Sequence, residues 1–389
     1  MEFRVPLYFL ALAVFAMGTS EFMLAGLVPG IAAALGISLA QAGYLTAAFA
    51  AGMVAGAPAM AALARSCRRR TALLGFLALF AVTHVAGGLT TSFAVLLGTR
   101  VLAAVANAGF LAVALTAATT LVPPGREGRA LAVLLGGTTM ACVAGVPGGA
   151  LLDAAFGWRS AFWAVALLCL PAFAGVWRIA DTPAGAKPSG LRDELAALRP
   201  LAGVFLLAAL VNAATFGVFT YLAPLAAGVA PVPLVLAAFG AGCFAGVTAA
   251  GRLADRWPGR IIAFGGPLLL AGWIAAALAA HLPAALPGLA FVQGALSFAV
   301  GSTVITRILH GATGAPTMAG AFATAALNGG ATAGPVLAGA LLGAVSPFWV
   351  AAGLVAVAMV LASVVRRKLT RVPEGPGAVG AGQVPGLPE

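Results

Sequence analysis

Long apolar runs, interrupted at short intervals by clusters of Arg, Pro and Gly, set the plan of this chain. A run of about 20 apolar residues crosses a bilayer as one helix. Reading the runs against the breaks predicts twelve such helices. They cover 6–29, 40–64, 71–89, 93–121, 130–152 and 159–179, then 201–226, 232–252, 260–281, 286–310, 317–344 and 347–365. Between the two sets, residues 181–199 hold Asp181, Lys187, Arg192, Asp193, Glu194 and Arg199 with Pro183 and Pro188. This stretch reads as a linker with a short surface helix over 191–198. The Gly- and Pro-rich tail, 373–389, reads as disordered.

The two sets repeat each other. Gly52-x-x-x-Gly56 in the second run returns as Gly242-x-x-x-Gly246 in the eighth, and Arg65 returns as Arg256. Gly145 returns as Gly334, Pro29 as Pro224, and Phe162-Trp163 as Phe348-Trp349. These matches keep their order, with small drifts in spacing. They predict two six-helix units of the same membrane orientation, as in carriers built from parallel repeats. The expected fold is an all-α membrane protein of twelve transmembrane helices in two pseudo-symmetric bundles. The first unit is 1–180 and the second 200–372.

Composition agrees. Of 389 residues, 62% are hydrophobic and 8% charged, a balance that leaves no soluble exterior. The first apolar run is too long for a cleavable signal peptide. The net charge of +11 would suggest nucleic acid in a soluble protein. Here the basic residues fall in short loops and report orientation instead. With the N-terminus in the cytoplasm, 18 of the 21 Lys and Arg residues lie on that side. Only Arg159 falls in an outer loop, while Arg100 and Arg307 fall within spans. Both termini are therefore expected in the cytoplasm. The four cysteines, at 67, 142, 169 and 243, show no paired spacing, so neither a metal site nor a disulfide framework is expected. The absence of a Gly-x-x-x-x-Gly-Lys-Ser/Thr loop argues against ATP as energy source. No cofactor is expected.

Glu21 is the residue that needs explaining, because it is an acid inside the first apolar run. An acidic side chain at the centre of a spanning helix costs about 2.5–3.5 kcal/mol or more, so it is expected to face a cavity. Groups kept at that cost bind an ion, a proton or a substrate, or else hold helices together as buried polar residues. Arg100 lies about 10 Å inside the outer end of the fourth run, counting 1.5 Å per residue, and Glu21 lies at a similar depth. A pair that forms and breaks would let Glu21 take and release a proton. A pair that never breaks is a static ion pair.

Three further segments carry motifs. Gly251-Arg-Leu-Ala-Asp255-Arg256-Trp-Pro-Gly-Arg260 follows the eighth run. It resembles the loop signature of the major facilitator superfamily, in which an Asp-Arg pair lies between the second and third helices of a half. The first-half copy, Ala61-Ala-Leu-Ala-Arg65-Ser-Cys-Arg68-Arg69-Arg70, has Ala64 where the family pattern has Asp. The resemblance thus implies a cytoplasmic gate built from Arg65, Asp255 and Arg256, with Asp255 carrying its acidic part. The run Gly145-Val-Pro147-Gly148-Gly149, followed by Gly157-Trp158-Arg159, is similar to the fifth-helix signature of the drug/proton antiporter branch. Glycines there allow close helix approach and Pro147 bends the helix, which would make a tight seam between the halves. An Arg in the fourth helix, here Arg100, is another signature of the superfamily.

The segment Phe15-Ala-Met-Gly-Thr-Ser-Glu21-Phe-Met-Leu-Ala-Gly-Leu-Val-Pro29, with Gly43-Tyr44-Leu45-Thr46, resembles one subgroup in particular. This is the chloramphenicol efflux transporters of high-GC bacteria, within the twelve-helix drug/proton antiporters. The resemblance implies a bacterial plasma-membrane exporter of a small-molecule drug, coupled to protons through Glu21 and Arg100 and working as a monomer in the lipid bilayer. A drug cavity needs aromatic and apolar walls with a few polar anchors. First-half candidates are Phe22, Tyr44, Phe49, Asn107 and Phe110. Second-half candidates are Asn212, Thr215, Phe216, Tyr221, Gln293 and Asn328. His84 and His281 receive no role. Two alternatives stand beside drug export: proton-coupled export of a sugar, nucleoside or other metabolite, and a non-transporting membrane receptor. The second would need an effector domain or a large polar loop. Intramembrane ionisable residues are too sparse for an enzyme site.

Overall fold

The structure is a computed structural model that describes residues 4–63, 68–123, 126–179, 191–253, 258–312, 314–315 and 318–370. All regular elements among them are helical. In chain order, α1 is Arg4–Phe22 continued by Leu24–Leu35, α2 Leu39–Leu63, α3 Arg69–Leu89 and α4 Phe93–Thr120. α5 is Glu127–Met140, a π-turn at Ala141–Gly145 and Val146–Phe156, and α6 is Arg159–Trp177. After the surface helix Leu191–Leu198, α7 is Ala202–Thr220 continued by Leu222–Ala226. α8 is Val232–Leu253, α9 Pro258–Ala279, α10 Ala285–Gly311, α11 Met318–Ala340 and α12 Pro347–Thr370.

Among the described residues, ten helices are long and apolar enough to cross a membrane, and α1 adds an eleventh as a pair bent by 51°. α11 is as long as its neighbours, at 23 residues, but is diluted by Gly, Thr and Asn. Its surface is spent on protein contacts, since it lies against both α2 and α7. The fold is therefore the expected all-α membrane architecture. Three helices depart from regular form. α1 does not end at Pro29; it breaks at Met23 and runs through Pro29 to Leu35, stopped by Gly36 at φ 63°. A left-handed residue is a common helix stop that glycine adopts freely. α7 breaks at the matching place, Tyr221, three residues before Pro224. α5 carries its π-turn just before Pro147: the Val146 N–H reaches back to the Ala141 carbonyl. Proline has no N–H to give, so the ladder shifts register there.

The internal repeat is visible as matched packing. Gly52 and Gly56 let α2 lie against Val101, Ala104, Val105 and Ala108 of α4. Gly242 and Gly246 do the same for α8 against Phe291 and Ala295 of α10. α5 packs on α1 as α11 packs on α7, and α3 on α6 as α9 on α12. The halves meet along two symmetry-related seams, α2 with α11 and α5 with α8, and where the tips of α1 and α7 beyond their breaks touch. The surface helix is tied to the second half. Its buried Glu194 accepts the Met318 N–H at the start of α11 at 2.8 Å. Leu198, Leu201, Ala312, Ala315, Met318 and Ala319 form a small core there, with Ala61 of α2 against it.

Candidate functional site

The site is built around the α1 break. Ser20 lies one turn before Leu24, where the helix resumes. Arg100 of α4 is 1% exposed and gives both terminal nitrogens to Ser20. Its Nη1 donates to Ser20 Oγ at 2.9 Å and its Nη2 to the Ser20 carbonyl at 2.7 Å. The guanidinium carbon lies 4.7 Å from the centre of the Phe49 ring and 5.8 Å from that of Phe162. Such cation–π contacts gain weight in a desolvated setting.

His84 of α3 completes this cluster. Its Nδ1 donates to the Phe80 carbonyl at 2.7 Å, and its Nε2 lies 2.7 Å from Ser20 Oγ and 3.5 Å from Arg100 Nη1. Arg100 can only donate, so Nε2 is an acceptor and takes the Ser20 hydroxyl hydrogen. In the sequence His84 carries no sign of a role, because it lies near the outer end of its run. Its partner is 64 positions away in the chain, and only the fold brings them together.

The expected contact between Glu21 and Arg100 is not made as an ion pair in this structure. The two are in electrostatic range, yet Arg100 is spent on Ser20. Among the described residues the Glu21 carboxylate has no hydrogen-bond or ion-pair partner, and the side chain is partly exposed. Arg100 Nε is buried and also without a partner.

Beside Glu21, Phe22 lines a tight apolar cleft at the junction of the halves, with free room of only about 10 Å³ in this state. Cys142 and Val146 of α5 line it from the first half, and Thr215, Phe216, Phe219, Phe239, Gly240 and Phe298 from the second. The Phe22 ring centre is 6.1 Å from that of Phe216 and 6.3 Å from that of Phe219, which stacks on Phe239 at 4.9 Å. Of the predicted wall, Phe22, Thr215 and Phe216 are in this pocket.

The others lie elsewhere. Phe49 and Phe110 belong to the first-half core, Phe49 beneath Arg100. Asn107 donates to Met53 Sδ at 3.8 Å inside the first half. Asn212 ties α7 to α11 through the Leu327 carbonyl at 2.7 Å, and Asn328 donates to the Thr324 carbonyl at 3.0 Å within α11. Gln293 donates to the Leu269 carbonyl at 3.1 Å, between α10 and α9. It lines a second apolar pocket inside the second half. Tyr221 is fully buried and donates to the Pro335 carbonyl at 3.0 Å, with Gly43 and Gly339 against its phenol oxygen. Tyr44, in electrostatic range of Tyr221, is 36% exposed.

The fifth-helix segment lies in the α5–α8 seam between the halves, through both the π-turn and Val146–Phe156, while its glycines face α1. Gly145 faces Thr19 and Gly149 faces Met23, both on α1 of the same half, while Gly148 has open space beside it. The closest approach to the other half is at the π-turn, where the Cys142 carbonyl and Val143 meet Gly240 of α8, and Val146–Phe156 continues the contact. Pro147 sits in the first turn after the π-turn. The gate residues Arg65, Asp255 and Arg256 lie outside the described residues, as do most of the linker and the tail 373–389.

Comparison with known proteins agrees with this architecture. The pattern of the Major Facilitator Superfamily matches residues 10–249. A chloramphenicol resistance protein of Streptomyces lividans is 58% identical over 383 residues, covering 94% of this chain and 97% of the relative. The uncharacterised transporter YtbD of Bacillus subtilis, of the same superfamily type, is 33% identical over 258 residues, 64% of this chain and 65% of the relative. The crystal structure of the human organic anion transporter MFSD10 superposes with a TM-score of 0.65. It covers 92% of this chain and 98% of that one at 18% identity, a likeness of fold.

Proposed function

Because the chain belongs to the major facilitator superfamily, we propose that it is a proton-coupled exporter of a small amphipathic antibiotic, chloramphenicol first. It is a multi-pass membrane transporter of a small molecule, not an enzyme. The substrate reading draws on the 58% identical chloramphenicol resistance protein and on the cleft, whose wall is largely phenylalanine, the Thr215 hydroxyl being turned to the Val211 carbonyl. Such a wall suits a neutral aromatic drug better than a sugar, which needs many hydrogen-bond partners.

The observation that carries the coupling is the state of Glu21. It is the acid at the α1 break, partly exposed, unpartnered among the described residues and next in sequence to the pocket residue Phe22. In this reading the end of the bundle bearing Arg69, Arg70 and Arg129 is cytoplasmic, as are both termini, in a bacterial plasma membrane. A proton enters from outside and binds Glu21, and the drug leaves as the units 1–180 and 200–372 rock about the pocket. Residues 181–199 link the units, and Arg65, Asp255 and Arg256 latch their cytoplasmic ends. The carrier works as a monomer, without ATP. One charge moving inward across 100 mV supplies about 2.3 kcal/mol, or a roughly 40-fold gradient of neutral drug.

The test is transport in proteoliposomes under an imposed proton gradient. Glu21→Gln is expected to abolish gradient-driven chloramphenicol movement while preserving drug–drug counterflow. Undiminished gradient-driven movement in that variant would refute the coupling. A susceptible host expressing the chain should accumulate less drug, and an uncoupler should reverse this. Equal accumulation with and without the chain removes chloramphenicol as substrate.

A further inference from the structure

Two complementary groups are left over at the α1 break. Arg100 Nε is a buried donor without a partner, and the Glu21 carboxylate is an acceptor without one. Glu21 follows Ser20 directly in α1, and the Ser20 carbonyl already holds Arg100 Nη2 at 2.7 Å, so the guanidinium lies one residue from Glu21 without pairing with it. The guanidinium therefore has two possible seats, Ser20 and Glu21, and occupies the first.

His84 keeps it there. A serine hydroxyl within a helix otherwise turns back to the carbonyl four residues earlier, here that of Ala16. Accepting the hydroxyl hydrogen at Nε2, His84 points the free lone pairs of Ser20 Oγ at Arg100 Nη1. His84 is itself fixed by the Phe80 carbonyl and packed between the rings of Phe80, at 4.2 Å, and Phe162, at 5.8 Å.

We propose that Ser20 and His84 form a holding site for the Arg100 guanidinium, and that Arg100 passes between this site and Glu21 during the transport cycle. His84 is the positioning residue that sets the balance. The inference rests on the reading of Glu21 as the coupling acid. When Glu21 loses its proton, its carboxylate draws Arg100 away from Ser20. When Glu21 is protonated, Arg100 returns. Few other groups compete. On α5 the Cys142 thiol lies beside Phe22, and the Asp153 carboxylate lies against Gly30, more than two turns beyond Glu21. α2 and α7 contain no charged residue, and the charged residues of α6 and α8, Arg159 and Arg252, lie at helix ends.

The experiment uses the purified full-length chain and the infrared carboxyl band that Glu21→Gln removes, followed against pH. His84→Leu is expected to free Arg100 for Glu21 and move the band's midpoint to more acid pH by about one unit, tenfold in proton concentration. His84→Gln, whose amide oxygen can accept from Ser20, is expected to stay near wild type. In an Arg100→Gln background His84→Leu is expected to do nothing. An unmoved midpoint in His84→Leu, or a shift that persists without Arg100, overturns the proposal. Should His84→Leu fail to fold, Ser20→Ala replaces it with the same expectation. Failure of the underlying reading is read separately. Gradient-driven transport that survives Glu21→Gln removes the coupling role, while the band still reports whether Arg100 changes seats.

Discussion

The phenol of Tyr221, at the break in α7, fills the space beside Gly43 of α2 that any larger side chain would need. The same oxygen donates to the Pro335 carbonyl of α11 and touches Gly339. One side chain thus closes the α2–α11 seam at the end of the bundle away from Arg69 and Arg70. Gly43→Ala is expected to wedge this seam and hold that end open. Maleimide labelling of a cysteine placed at Ala40 should rise from the outer face, and transport should fall. Tyr221→Phe keeps the ring and loses one hydrogen bond, worth about 1 kcal/mol, so its effect should be smaller. Equal labelling in Gly43→Ala and the parent removes Tyr221 as a seal.

The glycines of the fifth-helix signature are not equivalent. A methyl at Gly145 would strike Thr19, whereas one at Gly148 meets nothing. Overpacking a tight contact costs about 1–3 kcal/mol. Gly145→Ala should therefore lower the thermal midpoint in detergent, and Gly148→Ala should leave it unchanged. Reversed sensitivities would mean that α5 is rotated from the orientation described.

Cys142 lines the pocket and is buried beside Phe22 and Phe239. With Cys67, Cys169 and Cys243 replaced by Ala, alkylation of Cys142 by a small maleimide should be slow. It should become slower still with chloramphenicol bound. Mass spectrometry of the intact chain reads this directly. Drug-independent labelling would move the binding site away from this pocket.

Arg100→Lys keeps the charge but loses the fork that serves Ser20 twice and the flat face that lies on Phe49. A hydrogen bond from a charged group is worth about 1.5–3 kcal/mol, so transport should drop about tenfold or more. Wild-type rates in Arg100→Lys would reduce the site to a point charge.

Much of this arrangement is legible in the sequence, and the unreadable parts have physical causes. Gly52, Gly56, Gly242 and Gly246 mark helix contacts because nothing larger fits between α2 and α4 or between α8 and α10. Glu21 and Arg100 declare themselves because charge is expensive in lipid. The pocket wall is less readable. Phe219, Phe239 and Phe298 do not stand out, because an apolar ring facing a pocket has the same letter as one facing lipid or core. Phe110 shows the converse, a candidate that is core. Polar residues mislead in another way. Asn212, Asn328 and Gln293 look like ligand anchors, but each gives its amide N–H to a backbone carbonyl of its own bundle, with Gln293 Oε1 left buried and unpartnered. The break at Met23 follows from no local signal, since Pro29, the obvious suspect, lies inside the resumed helix.

The π-turn at Ala141–Gly145 has a further consequence. It stores one residue more than a regular helix would hold over the same rise. Deleting a single residue there would relax the turn to ordinary α geometry and leave the helix beyond it nearly in register, because the surplus residue is removed where it is stored. A deletion in the regular helix before it, Glu127–Met140, would instead turn everything beyond by roughly 100° and carry Gly145 and Gly149 away from Thr19 and Met23. The π-turn is thus the slack link of α5, the place where losing one letter disturbs the rest of the helix least.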